Sequence, residues 1–172
     1  GSTVALVVSD MSRFWMRQDL VVPHLVDYLT QRCGVRERDI TIVIANGTHT
    51  GGDEAELRTL VTDAVYDRIT VENHDCESED LVYLGTTPHG TPVSINRTAA
   101  LADMVICLGA ATHHVMAGFG GGRKSILPGI SGRETIFHNH AFSLDAAALR
   151  SNPAVGNGIL QGNPLHEDMC EA

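Results

Sequence analysis

Positive charge is scarce in this sequence. Twelve Lys and Arg stand against 21 Asp and Glu, a formal net charge of −9. Nucleic acids and anionic membranes bind surfaces with an excess of cations, so both are excluded as expected partners. A small anion held by one or two local cations stays open. Long apolar runs are also missing: nothing approaches the roughly eighteen residues that a membrane-spanning helix needs. The first residues lack the charged-then-apolar pattern of a secretion signal. Cysteine is limited to Cys33, Cys76, Cys107 and Cys170, with no CxxC pair among them. With such long gaps between them they read as reduced thiols, with a cytoplasmic location expected. There is no internal repeat and no low-complexity linker.

What remains is an ordinary globular composition, 43% hydrophobic over 172 residues, enough for one domain with a real core. "TVALVVS" (3–9), "DITIVIA" (39–45) and "MVICLGA" (104–110) are apolar, β-branched runs and read as three buried strands. Between them, "LVVPHLVDYLTQRCG" (20–34) and "DEAELRTLVTDAVYDR" (53–68) carry helical spacing, the second with acidic residues at its start. "ITVENHD" and "LVYLGTT" are weaker strands; "TPVSIN" is expected to pair with the latter around a His89-Gly90 turn. "RTAALAD" and "RETIFHNHAF" read as helices. In "GNPLHEDMCEA", Asn163 is placed as an N-cap and Pro164 at the first helical position. The alternation predicts an α/β fold, a Rossmann-like and mainly parallel sheet with helices on both faces. Ligands in such folds sit beyond the carboxyl ends of the strands. The loops there carry Asp10, Arg13, His49, His114 and Lys124.

The segment "GFGGGRKSILPGISGRETIFHNH" (118–140) is the most unusual. It is not a P-loop, because Arg123 replaces the second required glycine and Pro128-Gly129 interrupts the helix that should receive phosphates. Arg123 also breaks a dinucleotide fingerprint. Bare amides beside Arg123 and Lys124 nevertheless form an anion cradle, anchored by the apolar "SILPG".

The chain has nine histidines, and several of them fall in turns. His138 and His140 are two apart, which is the wrong spacing for a helical metal pair. His49 and His113-His114 follow strong strands, and two imidazoles facing each other across a rim can exchange protons at neutral pH. Asp10 offers a carboxylate to orient a neighbour, and Arg13 a guanidinium to clamp an anion. On residue types alone three readings stay open. They are an enzyme domain, a non-catalytic nucleotide- or anion-binding α/β module, and a hydrolase built on a histidine-bound metal.

Four blocks in order, "DMSR", "NGTHTG", "GAATHHVMAGFGGGRKSILPGISGRETIFHNHA" and "GNPLHEDM", resemble the front domain of the nickel pincer nucleotide-dependent lactate racemases. The resemblance covers nearly the whole chain, and its third block is highly specific. It implies that residues 1–172 form one N-terminal cofactor-binding and catalytic domain of a longer protein with a second α/β domain. On this resemblance Lys124 holds the cofactor covalently through a thioamide, and His140 supplies the protein's nickel ligand. Gly121 and Gly122 flank the tether, and Asp10 lies in the cofactor site. His49 and His114 are the acid/base pair on opposite faces of a 2-hydroxy acid, whose carboxylate meets Arg13. No role is implied for His113 or His138. Cofactor-maturation enzymes are implied partners, and the domain alone is expected to show little or no turnover. "DMSRFW" departs from the family at Phe14-Trp15, on the substrate side of its loop. Lactate, malate, aromatic hydroxy acids and sugar acids all remain open as substrates.

Overall fold

The structure is a computed structural model that describes all 172 residues. β1 (Val4–Ser9) lies inside a four-stranded sheet of order β3-β2-β1-β6, with β2 Ile40–Ala45, β3 Thr70–Asn73 and β6 Met104–Cys107. Every pairing in it is parallel, with Val4 opposite Ile40 and Met104. The α/β expectation therefore holds. β4 (Val82–Thr86) and β5 (Pro92–Ile95) form the expected antiparallel hairpin, with a register irregularity between Tyr83 and Gly85. None of the helices is long and apolar enough to cross a membrane.

The alternation of β1 and β2 sends side chains to two cores. Val4, Leu6, Val8, Ile40, Ile42 and Ile44 face α1 (Val22–Gln31) and α2 (Glu54–Val61), which contribute Val22, Val26, Leu29, Leu57 and Leu60. Each such large side chain, fully buried, stabilises the fold by about 1.5–3 kcal/mol. On the opposite face Ala5, Val7 and Val43 meet Ala99 of α4 (Arg97–Leu101) and Ile130. A third core joins Ala117, Leu127, Ile136, Leu165 and Met169, and packs α5 (Arg133–Ala141) on α6 (Pro164–Glu171). Asn163 caps α6 as expected, its side chain accepting from the Leu165 and His166 amides.

Three local expectations are corrected. The first helix starts at Val22 rather than Leu20, because Pro23 has no amide hydrogen to give and suits only a first turn. The helix expected over 53–68 is broken at Thr62, whose φ of 77° ends α2 before a short α3 (Asp63–Tyr66). β6 is apolar in sequence yet mostly exposed, because it is the outer strand and pairs only with β1.

Candidate active site

The loops that leave β1, β2 and β6 converge on one cleft of about 560 Å³ at the carboxyl ends of the strands. Asp10 follows β1 directly, and a turn of 3-10 helix, Met11–Met16, carries Ser12, Arg13 and Trp15 to the rim. Arg13 Nη1 donates to Ser12 Oγ (2.9 Å), and Ser12 Oγ donates to Asp10 Oδ1 (2.6 Å). The other carboxylate oxygen, Asp10 Oδ2, lies 2.5 Å from His49 Nδ1. Ionised Asp10 only accepts, so Nδ1 carries the proton and the His49 Nε2 lone pair is left open. The loop holding His49 is pinned behind its tip. Buried Asn46 donates to Asn73 Oδ1 and the His74 carbonyl, and Asn73 bonds both the amide and the carbonyl of Gly52. The Gly47 amide donates to the Gly129 carbonyl.

His114 is set the opposite way. Its Nδ1 accepts from the backbone amides of Met116 (3.2 Å) and Ala117 (3.1 Å). A proton on Nδ1 would face two donors, so the neutral ring carries its hydrogen on Nε2. Burial first, then the charges of Lys124, Arg13, His140 and Arg123, pushes its pKa down to about 4. His49 and His114 are thus unlike at rest, one presenting a lone pair and the other an N–H.

Lys124 is the only lysine in the chain. It is half-buried in the cleft wall, and its amine makes no hydrogen bond or ion pair. Burial, then repulsion from Arg13 and Arg123, draws its pKa down to about 8. The neutral, nucleophilic amine is therefore reached closer to neutral pH than for an ordinary lysine. His140, on α5, also lines the cleft. Its Nδ1 is buried without a hydrogen-bond partner, which leaves Nε2 as the nitrogen with access to the cleft. Burial and then Lys124 lower its pKa, against a smaller opposing effect of the Ile136 carbonyl one turn back. A neutral imidazole with a free nitrogen is the form that binds a metal.

Asp10, Arg13, His49, His114, Gly121, Lys124 and His140 thus share one cleft. Gly122 is not part of its lining; it turns the chain with a φ of 53°. Gly121 serves close packing more than access. Its φ is 75°, and a Cβ there would sit 2.9 Å from the Ala110 carbonyl oxygen. Asp10, expected at the cofactor, is engaged with His49. His113 lines the cleft and stacks on Phe119 at 5.1 Å, while His138 bonds the Thr91 hydroxyl outside it. Sequence reasoning missed Ser12, Asn73 and Asp168. Asp168 is wholly buried and accepts from Thr87, Thr91 and Asn139, tying the hairpin and α5 to α6. Nothing in local sequence marks Asn73 or Asp168, whose partners are distant. Ser12 was legible, being two residues from Asp10 in a turn.

The strand-end cleft of this parallel α/β domain thus gathers an unpaired lysine, a half-buried imidazole and two differently set histidines. The chain matches the family described as lactate racemase N-terminal domain over residues 1–151. It is 32% identical over 170 residues to a lactate racemase of Thermoanaerobacterium thermosaccharolyticum and 31% identical over 170 to one of Lactiplantibacillus plantarum. Each alignment spans 98% of this chain and 38% of the relative. The solved apoprotein structure of the lactate racemase from T. thermosaccharolyticum superposes with a TM-score of 0.88 at 30% identity, covering 98% of this chain and 39% of that one. A Thermotoga maritima protein of known structure superposes with a TM-score of 0.76 at 26% identity, covering 98% and 41%. The chain belongs to the lactate racemase N-terminal domain family.

Proposed function

We propose that this chain is the cofactor-binding part of a nickel-dependent 2-hydroxyacid racemase or epimerase, with a pincer nucleotide tethered to Lys124. One observation carries the reading: the only lysine is an unpaired, pKa-lowered amine in the same cleft as the half-buried imidazole of His140, whose Nε2 makes no hydrogen bond. These residues fit the group. Lys124 would hold it covalently, and His140 Nε2 would supply the protein's ligand to its nickel. When bound, the cofactor supplies a hydride acceptor.

The chain's own residues account for the rest. Arg13 is exposed at the rim with a single partner, Ser12, so most of its guanidinium fork is free for a substrate carboxylate. His49 Nε2 takes the hydroxyl proton, and Asp10 stabilises the imidazolium that forms. His114 Nε2–H hydrogen-bonds the substrate oxygen from another part of the wall. Carrying a full proton there requires its Nδ1 to leave the Met116 and Ala117 amides, so a ring reorientation accompanies the exchange of roles.

The test uses the full-length protein matured alongside the cofactor's biosynthetic enzymes. A mass adduct on the Lys124 peptide is expected, absent in Lys124→Ala and retained without nickel in His140→Ala. Turnover of 2-hydroxy acids should vanish in both variants. Turnover without any adduct would overturn the proposal.

A further inference from the structure

We infer that Asn163 is a positioning residue for His114: through the Met116–Ala117 peptide it holds the imidazole with its hydrogen on Nε2. The inference rests on the acid/base role proposed for His114. His114 ends β7 (His113–His114), which pairs antiparallel with β8 (Gly118–Phe119). The turn between them, residues 115–117, supplies the Met116 and Ala117 amides that face His114 Nδ1. The carbonyl of the Met116–Ala117 peptide accepts from Asn163 Nδ2 (2.9 Å). Side-chain amide, peptide and imidazole thus form one chain of hydrogen bonds running in one direction. Donation to a peptide carbonyl polarises that peptide and makes its N–H a stronger donor. The N–H concerned is that of Ala117, so Asn163 strengthens the contact that keeps a proton off Nδ1.

Capping of α6 does not by itself account for this residue. The cap uses only Oδ1, which accepts from the Leu165 and His166 amides, and Asp or Ser would serve there as well. What asparagine adds is the amino group, whose two hydrogens go to the Met116 and Ile159 carbonyls (2.9 Å each). Backbone amides on one side and carbonyls on the other fix which way the side-chain amide points. Asn163 is wholly buried, so a carboxylate in its place would set its oxygens against two carbonyls with no donor between them. The surroundings leave the turn little freedom. Arg123 Nη2 donates to the Ala117 carbonyl (2.6 Å), and the Gly158 amide to the Gly118 carbonyl (3.0 Å). Gly118 has a φ of 74°, and a Cβ on it would run into the Ile159 carbonyl oxygen. The segment that leads into α6 is therefore packed tightly on the hairpin that carries His114.

The test is made on the full-length protein with isotope-labelled histidine. Ring-nitrogen shifts at neutral pH report which nitrogen carries the hydrogen, and His114→Gln identifies the signals of this ring. In the wild type the Nε2–H form should dominate. Asn163→Ser keeps a hydroxyl to cap α6 and loses the amino group. Its Nδ1–H form should rise roughly 3–10-fold, the equilibrium worth of one neutral hydrogen bond. After maturation with cofactor the same variant should lose kcat with KM little changed, because Arg13 and not His114 meets the substrate carboxylate. Leu165→Ala loosens the same helix from its apolar side and should leave the ring as in the wild type. An Nδ1–H ring in the wild type would overturn the inference, and that measurement stands even where Asn163→Ser fails to fold. So would an unchanged ring in Asn163→Ser, or an equal change in Leu165→Ala. A changed ring with unchanged kcat would support the coupling and overturn instead the role proposed for His114.

Discussion

Lys124→Met should make the apo chain more stable at neutral pH. The amine is half-buried and unpaired, and its pKa falls from 10.5 to about 8. Each pH unit of such a fall corresponds to about 1.4 kcal/mol, so the whole difference has a ceiling of roughly 3 kcal/mol. The amine keeps part of its hydration, which brings the expected gain in the variant to about 1–2 kcal/mol. The direction with pH follows from proton counting. Between pH 8 and 10.5 the unfolded lysine keeps a proton that the native one has released, so wild-type stability rises with pH across that window. The advantage of Lys124→Met should therefore be full below pH 8 and shrink toward pH 10.5. Urea unfolding of both proteins from pH 6.5 to 10.5 measures it. A variant less stable at pH 7, or a difference that does not change with pH, would refute the picture of a strained, functionally retained amine.

Three further outcomes follow from the cleft. By nitrogen-detected NMR of the apo chain, His114 should hold its hydrogen on Nε2 and stay neutral to about pH 4, whereas His49 should hold its own on Nδ1. A His114 titrating in the ordinary range near 6.5 would contradict the double amide contact. Gly121→Ala should cost at least about 2 kcal/mol by thermal unfolding, because it adds a clash with Ala110 to a left-handed backbone. Gly122→Ala, with open space around it, should cost about 1 kcal/mol; equal losses would remove the packing argument. Trp15 is the only tryptophan and lines the cleft at 58% exposure, so its fluorescence should change when a 2-hydroxy acid binds the matured protein. Binding seen by calorimetry with no change in emission would place the ligand elsewhere.

The parts of the fold that local pattern controls were legible. β1 and β2 are unbroken β-branched runs, and Asn163-Pro164 announces α6 through its cap. The rim residues could be grouped because parallel strands put their carboxyl ends on one side, whatever the details of the loops. What was not legible depends on partners far away in sequence. The exposure of β6 is set by its place in the strand order, which its own residues do not encode. Thr62 breaks a pattern whose spacing is continuous. The opposite settings of His49 and His114 come from a carboxylate 39 residues away in one case and from two following amides in the other. The spacing of His138 and His140 argued against a shared metal, and the structure turns His138 toward Thr91, out of the cleft.

The most direct test of the central claim is to incubate the matured full-length protein with one enantiomer of lactate in heavy water and analyse the product by chiral separation and mass spectrometry. If Lys124 and His140 hold a hydride acceptor while His49 and His114 move only the hydroxyl proton, the opposite enantiomer should appear without deuterium on its α-carbon. Inversion with deuterium at that carbon would mean that a side chain abstracts the α-proton, and would contradict the assignment.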